Sequence, residues 1–369
     1  MNTPIPLVDL RAAQAEIADD LAPDLAHVMA TAGFVGGEHV AAFEDEYAAF
    51  SGVRHCVGVG NGTDALELAL RAVQAGSGTE VVIPANTFVA TAEAVVRAGA
   101  TPVLVDVDPD TLLIDPERVA AAVTPRTRAV VPVHLYGRLA EVDEVARAVE
   151  GRPVVVVEDA AQSQGAARNG ICSGSAGTIA ATSFYPGKNL GAAGDAGAVT
   201  TDDDDLARVV RLLGNHGSAT KYVHDTLGFN SRLDALQAVV LRHKLRRLAD
   251  WNDLRRAAAR RYHELLADMA KLALPAPAVG TDHVWHLYVA RVAERDRVLA
   301  HLNAQRIGAA IHYPVPVHLT GAFRGLACGA GSFPVAEAAA QEILSLPMFP
   351  QITVEQQERV TDALREALA

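Results

Sequence analysis

Hydrophobic and polar residues follow an alternating pattern over the first two thirds of the chain. Short apolar runs predict strands at 55–59, 80–83, 102–105, 129–133, 154–157 and 178–184. Stretches with helical periodicity predict helices at 10–32, 37–50, 63–75, 88–98 and 140–149. The run Val154–Val157 is apolar on both faces, which is typical of a buried and mostly parallel sheet. The alternation of strand and helix predicts an α/β layered domain.

From Arg232 the pattern changes. Residues 232–269 contain no glycine or proline and keep a helical apolar period, which predicts one long helix. Beyond Pro275 we expect a strand (286–292), a helix (294–305), a strand (309–312) and two closing helices. The chain therefore divides into a large domain with an N-terminal helical segment, 1–240, and a part with the linking helix and a small C-terminal α/β domain, 241–369.

Composition excludes several classes of protein. The chain has 369 residues, half of them hydrophobic, and a net charge of −12, which argues against nucleic acid as a partner. No stretch approaches the roughly 18 uninterrupted apolar residues of a membrane span. Its three cysteines are far apart, and the N-terminal residues do not have the pattern of a secretory signal. We expect a cytoplasmic protein.

Residues 57–66, VGVGNGTDAL, predict a strand that ends in glycines just before a helix. Free backbone N–H groups at such a helix start bind phosphate well. A dinucleotide site is disfavoured, because the spacing is G-x-G-x-G and the next strand ends in Ile83–Pro84 rather than in an acid. Taken alone, the motif fits a structural glycine turn equally well.

Two further strand ends carry candidate ligand-binding residues. In residues 84–91, PANTFVAT, Phe88 could stack on a flat ring, although an ordinary core aromatic gives the same pattern. In residues 154–166, VVVVEDAAQSQGA, the apolar strand runs directly into two carboxylates. Asp159 could pair with a protonated ring nitrogen and Gln162 could reach a ring substituent; a solvated turn is the alternative.

Residues 181–198, ATSFYPGKNLGAAGDAGA, contain Lys188, one of only four lysines among 32 basic residues. Lysine, unlike arginine, can lose its proton and form a Schiff base. Ser183, five residues earlier, could join the phosphate site. A phosphate cradle, a stacking ring, an acid and a lysine are together the parts that hold pyridoxal phosphate (PLP).

The motifs resemble those of the nucleotide-sugar aminotransferases of the DegT type, which are fold-type I PLP enzymes. The resemblance runs from about Leu7 to the last helix. Its most specific pieces are GNGTDALELAL, EDAAQSQGA, SFYPGKNLGAAGDAGA and GFNSRLDALQAVVL.

The resemblance implies a role for each matching residue. Lys188 would form the internal aldimine, Asp159 would hold the pyridine nitrogen, and Gln162 would meet the 3-hydroxyl side of the ring. The other cofactor contacts it implies are stacking by Phe88 and phosphate binding by Gly62, Thr63, Asp64, Ser183 and, from the partner subunit, Asn230. It therefore implies a homodimer with shared active sites, with pyridoxamine phosphate as the intermediate and, most simply, glutamate as amino donor.

The lysine also bears on the reaction. Some relatives have histidine in place of Lys188 and are dehydratases, so transamination is favoured here. The GD pair at 194–195, where many C-4 aminating relatives have GEGG, is similar to enzymes that aminate C-3 of dTDP-3-keto-6-deoxyhexoses. A C-4 aminotransferase, a dehydratase, a nicotinamide-dependent oxidoreductase and a non-catalytic PLP-binding regulator are the alternatives.

The substrate contacts are less sharply indicated. Two segments, KYVH and HYPVPVHL, approach the substrate in relatives. Their candidate substrate-binding residues are Lys221, Tyr222, Tyr313 and His318, and each is equally consistent with a structural role. His283 and His286 have an H-x-x-H spacing, but the intervening Val-Trp and the strand context argue against a metal site. We expect no metal.

Overall fold

The computed structural model describes residues 3–369. The helices are α1 Leu10–Ala15, α2 Ala18–Thr31, α3 Glu38–Ser51, α4 Gly62–Ala72, α5 Val89–Ala98, α6 Pro116–Ala122, α7 Val142–Ala148, α8 Asp204–Gly214, α9 Ala235–Leu266, α10 Arg295–Ala304, α11 Pro334–Glu342 and α12 Val354–Leu368. The strands are β1 His55–Val59, β2 Glu80–Pro84, β3 Thr101–Val105, β4 Thr127–Val130, β5 Val155–Asp159, β6 Ala167–Arg168, β7 Ile171–Cys172, β8 Ile179–Ser183, β9 Gly197–Thr201, β10 Leu272–Ala273, β11 Tyr288–Val292 and β12 Ile343–Leu346.

A seven-stranded sheet forms the centre of the large domain, in the order β1-β9-β8-β5-β4-β2-β3. Strand β9 is antiparallel to both of its neighbours, and the remaining pairs are parallel. Six strands therefore point the same way and place their carboxyl ends at one edge of the sheet. In open α/β sheets this is the edge where ligands bind.

The α/β class and the mostly parallel sheet predicted from the sequence are confirmed. All six strands expected in the large domain form, each within a few residues of the expected limits. The acidic run that begins at Asp202 starts a helix, with Asp203 accepting hydrogen bonds from two backbone N–H groups of α8. The sequence did not predict β9, β12 or the two-residue strands β6, β7 and β10. The strand expected at 309–312 is reduced to a single bridge between Ala310 and Ser345.

Helix α9 connects the two parts of the chain. Its N-terminal half packs Leu241 and Leu248 against aromatic residues of the large domain, among them Phe43 and Phe184. Its C-terminal half contributes Tyr262 to the core of the small domain, with strands β10–β12 and helices α10 and α12. The expected domain boundary at 240/241 thus lies within one continuous helix.

No helix of residues 3–369 combines the length and the apolar character that crossing a bilayer requires.

The end of β5 is held by a fully buried hydrogen-bonded pair, His134 and Glu158. The Glu158 carboxylate accepts hydrogen bonds from His134 Nε2 at 2.8 Å and from the backbone N–H groups of Gly174 and Gly177, at 3.0 and 2.7 Å. Both side chains are 0% exposed. Because Glu158 has all its partners inside the protein, the strand leaves Asp159, on its opposite face, as the acid available to a ligand.

We predict that Glu158→Ala lowers the free energy of unfolding by about 3 kcal/mol or more, because it leaves His134 and two N–H groups buried without an acceptor. Denaturant titration of the cofactor-free protein measures this. Glu150→Ala, at an exposed position, should change stability by less than about 0.5 kcal/mol. Equal effects of the two substitutions would contradict the structural role of Glu158.

Candidate functional site

A cavity of about 510 Å³ opens at the carboxyl edge of the large sheet. Four parallel strands bring its main residues together: β1 leads into Gly62, β2 into Phe88 and β8 into Lys188, and β5 ends at Asp159. The small domain closes the cavity with His286, Leu287, His312 and Tyr313. The cavity is thus bounded by both domains.

The start of α4 forms an anion-binding cradle. Asn61 caps the helix by accepting a hydrogen bond from the Asp64 N–H at 2.9 Å, which leaves the first-turn N–H groups of Gly62 and Thr63 available. Ser183 lies against this turn, since a Cβ added to Gly62 would be 2.5 Å from the Ser183 Cβ. Only glycine allows this close approach of hydroxyl and helix start, so the geometry fits a phosphate.

Asp64 contributes to the cradle differently from the other predicted phosphate residues. Its carboxylate is ion-paired with Arg97 at 2.9 Å and accepts a hydrogen bond from the Ser231 hydroxyl at 2.8 Å. The side chain does not line the cavity. Asp64 therefore helps to fix the helix start, and its own charge is turned toward Arg97.

Asp159 is a buried carboxylate with free capacity to accept hydrogen bonds. Its Oδ2 accepts from the Thr91 hydroxyl at 2.8 Å, and its Oδ1 accepts from the backbone N–H of Ala161 at 3.2 Å. Burial raises the pKa of Asp159, and the two hydrogen bonds and the nearby Lys188 oppose that rise. A cationic ring N–H in the cavity would complete its hydrogen bonding.

Lys188 lies in the loop between β8 and β9. Its backbone N–H donates to Tyr185 O at 2.8 Å, and the loop folds back tightly enough that a Cβ on Gly191 would be 2.3 Å from Pro186 O. The side chain lines the cavity. Burial lowers its pKa from 10.5 to about 8, against the charge of Asp159, which acts to raise it. The amine is therefore partly deprotonated near neutral pH.

Gln162 and two aromatic rings complete the walls. The Gln162 amide accepts a hydrogen bond from the Tyr136 N–H at 2.6 Å and donates to the Tyr313 hydroxyl at 3.2 Å, so its orientation is fixed. Phe88 lines the cavity with 48% of its surface exposed, and its ring centroid is 5.0 Å from that of Tyr313. An exposed aromatic face at a cavity wall is free to cover a planar ring.

Five of the predicted site residues do not line this cavity, and Asp64 is one of them. Asn230 is exposed and accepts a hydrogen bond from Arg232, while Lys221 and Tyr222 lie on an exposed segment of the surface. His318 is buried against Phe333 and its Nε2 is 3.0 Å from Glu337. The structure brings together Gly62, Thr63, Phe88, Asp159, Gln162, Ser183, Lys188 and Tyr313, and leaves the other five outside the cavity.

Several lining residues were not singled out from the sequence. Thr91, in the first turn of α5, donates to Asp159, and its hydroxyl is 2.8 Å from that of Thr87. No pattern in the sequence marked this contact. His312, next to Tyr313, has a pKa lowered to about 4 by burial and then by Lys188. Asp195, which the sequence analysis named only as part of the GD pair, also lines the cavity at its exposed rim.

The two histidines of the H-x-x-H spacing face different surroundings. His283 stacks on Trp285 with ring centroids 3.9 Å apart and accepts a hydrogen bond from the Trp285 N–H, whereas His286 lines the cavity. A separate group away from the cavity, His27, Glu38 and His39, brings potential metal-binding atoms together.

One cavity contains a helix start for phosphate, a buried acid for a ring cation and an amine of lowered pKa. Together they define a class of α/β enzyme that uses a phosphorylated pyridine cofactor. The cradle at Gly62 and Ser183 and the free acceptor capacity of Asp159 fit PLP. The chain belongs to the DegT/DnrJ/EryC1/StrS aminotransferase family, whose model matches residues 15–365. This confirms the class of enzyme predicted from the sequence.

Named relatives agree with that family. The chain is 46% identical over 362 residues to dTDP-3-amino-3,4,6-trideoxy-alpha-D-glucose transaminase of Streptomyces venezuelae, covering 98% of this chain and 96% of the relative. It is also 46% identical to UDP-N-acetyl-3-dehydro-alpha-D-glucosamine 3-aminotransferase of Acidithiobacillus ferrooxidans, covering 100% and 99%. The crystal structure of S. venezuelae DesV in complex with a ketimine intermediate superposes with a TM-score of 0.97 at 45% identity, covering 100% and 99%.

We predict that the Lys188 amine of the cofactor-free protein titrates near its lowered pKa of about 8. Asp159→Asn should lower this pKa further, by about one unit, because the carboxylate favours the charged ammonium. Acetylation rates at each pH, quantified by mass spectrometry of the Lys188 peptide, measure the value.

The exposed carboxylate of Asp202 supplies a matched control, since Asp202→Asn removes a charge outside the cavity and should leave the Lys188 titration unchanged. A Lys188 titration at the ordinary lysine pKa would show that the amine is not buried as described.

Proposed function

We propose that the protein is a PLP-dependent aminotransferase that moves an amino group from glutamate to C-3 of a nucleotide-linked keto-sugar, most simply a dTDP-3-keto-6-deoxyhexose. The observation that carries the proposal is the amine of Lys188 in the same cavity as the Asp159 carboxylate, next to a phosphate cradle. The names of the relatives support the sugar-nucleotide class of substrate.

Each end of the cofactor has a proposed partner. The N–H groups of Gly62 and Thr63 and the Ser183 hydroxyl bind the phosphate, with Asp64 holding the helix start in place. Because one helix N-terminus carries only about half a positive charge, a dianionic phosphate calls for a further donor. We propose that the partner subunit's Asn230 is that donor.

The ring is held from three sides. Asp159 accepts a hydrogen bond from the ring nitrogen and keeps it protonated, Phe88 covers one face, and Gln162 meets the 3-hydroxyl side. Lys188 binds the cofactor covalently through Nζ. When bound, pyridoxal phosphate supplies an electron sink and a carrier for the amino group.

The work left to the chain is proton transfer. Once released from its covalent bond, Lys188 Nζ takes the proton from the α-carbon of the amino donor and gives it up again later in the transfer. A pKa of about 8 suits both steps near neutral pH, because the amine can accept the proton and also return it. Arginine at this position could not act in this way.

The proposal that C-3 of the sugar is aminated rests on the GD pair at 194–195 and on the names of the relatives. Asp195 lines the same cavity as Lys188, and the names of both relatives place the amino group at C-3. Since one of them takes a dTDP-sugar and the other a UDP-sugar, the nucleotide is the least constrained part of the proposal. Tyr313 lines the cavity and is proposed to contact the sugar.

We also propose a homodimer with shared sites. The segment 221–227 exposes Tyr222 by 82% and Leu227 by 94%, which is unusual for large apolar side chains and suits a surface covered by another subunit. Lys221 and Tyr222 would then reach the partner's cavity together with Asn230.

The three cysteines are free thiols, which suits a reducing cytoplasm.

We predict that the protein, given PLP and glutamate, aminates C-3 of 3-keto nucleotide sugars from a panel of dTDP- and UDP-linked 3-keto and 4-keto compounds. The mass of the product and its proton coupling constants identify the carbon. Amination of 4-keto sugars alone would overturn the C-3 proposal, and loss of water without amination would indicate a dehydratase.

Two lysine variants provide the controls for this assay. Lys188→Ala should abolish turnover and the yellow colour of the bound cofactor while leaving the circular dichroism spectrum unchanged. Lys271→Ala, on the surface of the small domain, should retain both colour and activity. Full activity of Lys188→Ala would rule out the proposed role of this residue.

A subunit-mixing experiment tests the shared sites. Lys188→Ala and Asn230→Ala homodimers should each be impaired, but after unfolding together and refolding, mixed dimers contain one site with both native residues. Activity should then rise toward about a quarter of that of the native protein. If mixing restores nothing while the two variants still form mixed dimers by native mass spectrometry, Asn230 acts within its own subunit.

A further inference from the structure

Two buried threonines line the cavity beside Asp159. Thr87 follows β2 and is 2% exposed, and Thr91, in the first turn of α5, is 1% exposed. Burying a hydroxyl group costs free energy unless the group is hydrogen-bonded. The partners of these two hydroxyl groups therefore indicate what they do in the cavity.

The two hydroxyl groups form a chain that ends on the carboxylate. Thr91 Oγ1 donates to Asp159 Oδ2 at 2.8 Å, and the hydroxyl oxygens of Thr87 and Thr91 are 2.8 Å apart. A hydroxyl group has a single proton to donate. Since Thr91 gives its proton to Asp159, Thr87 must donate to Thr91. A hydroxyl that accepts a hydrogen bond is in turn a stronger donor, so Thr87 strengthens the contact of Thr91 with the carboxylate.

The backbone of Asp159 is fixed on both sides. Its N–H donates to Pro132 O at 3.0 Å, and its carbonyl accepts from the His134 N–H at 3.1 Å. In the side chain, Oδ1 accepts from the Ala161 N–H at 3.2 Å, which is long for a carboxylate acceptor. The shorter bond from Thr91 is therefore the stronger of the two restraints that residues 3–369 place on this carboxylate.

Several groups influence the charge of Asp159. Burial is the largest influence and raises its pKa, and the hydrogen bond from Thr91 is the largest that opposes the rise. Lys188, in the loop between β8 and β9, and His134, which follows β4, also act to lower the pKa of Asp159. Tyr313, from the small domain, stays protonated, because burial and the charge of Asp159 raise its pKa.

We propose that Thr91 is a positioning residue that, with Thr87 behind it, keeps the Asp159 carboxylate charged and fixed in place for a ring cation. A buried carboxylate needs hydrogen-bond donors if it is to remain charged. A neutral acid that gave its own proton to Thr91 would offer a ring cation no charge. The proposal rests on the proposed role of Asp159 toward PLP, but the hydroxyl chain can be measured without the cofactor.

Three substitutions separate the hydroxyl groups from the shape of threonine. Thr91→Val replaces the hydroxyl with a methyl group of similar size, and Thr91→Ser keeps the hydroxyl. Thr87→Val removes only the outer member of the chain. The readout is the pKa of Asp159 in cofactor-free protein, followed through the ¹³Cγ resonance of labelled aspartate. The spectrum of Asp159→Asn identifies that resonance.

We predict that Thr91→Val raises the pKa of Asp159 by about one unit, because the charged form loses a donor. Thr91→Ser should keep the native value, and Thr87→Val should raise it by a smaller amount, since Thr91 still donates. No shift with Thr91→Val would overturn the proposal, and so would a lower pKa, which would show that the acid donates to Thr91. A shift with Thr87→Val as large as that with Thr91→Val would contradict the order of the chain.

Binding of pyridoxine 5′-phosphate connects the carboxylate to the kind of ring that it is proposed to hold. This compound has the phosphate and ring nitrogen of PLP but no aldehyde, so its affinity does not depend on a covalent bond to Lys188. Thr91→Val should weaken binding about tenfold at neutral pH, and Thr91→Ser should change it by less than about twofold. Fluorescence titration measures both affinities.

Equal affinity of the native and Thr91→Val proteins for pyridoxine 5′-phosphate would overturn the positioning role. Absence of binding to the native protein would count against the proposed function instead, and the titration of Asp159 would still decide the hydroxyl chain.

Thr361→Val provides the matched control. Thr361 is also a buried threonine of a helix, in α12 of the small domain, and its hydroxyl has no hydrogen-bond partner in the described part of the chain. This substitution should change neither the pKa of Asp159 nor the binding of pyridoxine 5′-phosphate, and a shift as large as that with Thr91→Val would overturn the proposal. If Thr91→Val does not fold, Thr91→Ala gives the same comparison, because alanine also lacks the hydroxyl and suits a helix.

Discussion

The chemistry of this site depends on two opposing influences on one amine. Burial lowers the pKa of Lys188, whereas the carboxylate of Asp159 acts to raise it, and the result is about 8. The pKa of Asp159 is also subject to opposing influences. Burial favours its neutral form, while hydrogen bonds from Thr91 and Ala161 favour its charged form. A more exposed site would leave the amine protonated, and a site without the acid would lose the partner for a ring cation.

The parallel sheet makes this arrangement possible. Gly62, Phe88, Asp159 and Lys188 are far apart in the chain, yet each lies at or shortly after the carboxyl end of a strand, and these strands point the same way. The antiparallel strand β9 returns the chain from the lysine loop and begins at the same edge. A loop that leaves and re-enters the sheet at one edge stays over the cavity, which keeps both Lys188 and Asp195 at its mouth.

The cavity nevertheless needs more than the large domain. His286, His312 and Tyr313 come from the small domain, and α9 joins the two domains with one continuous helix that contributes to both cores. The buried amides of Asn189 and Asn252 link the lysine loop to α9 and to the turn before β11. This network fixes side-chain orientations through backbone carbonyls, so its geometry depends on backbone that is itself well packed.

Local sequence determined the strand–helix order, the glycine turn before α4, the acid at the end of β5 and the isolated lysine, because periodicity, turn residues and unusual residue choice are properties of short segments. Only the tertiary structure decided which polar groups are already paired and so do not face a ligand. Asp64 is paired with Arg97, Glu158 with His134, and His318 lies next to Glu337. The hydrogen bond that Thr91 donates to Asp159 likewise comes from a residue distant in the chain. Hydrogen-bond partners across a fold leave no periodic trace in sequence, and a strand such as β9 becomes recognisable only from the neighbours with which it pairs.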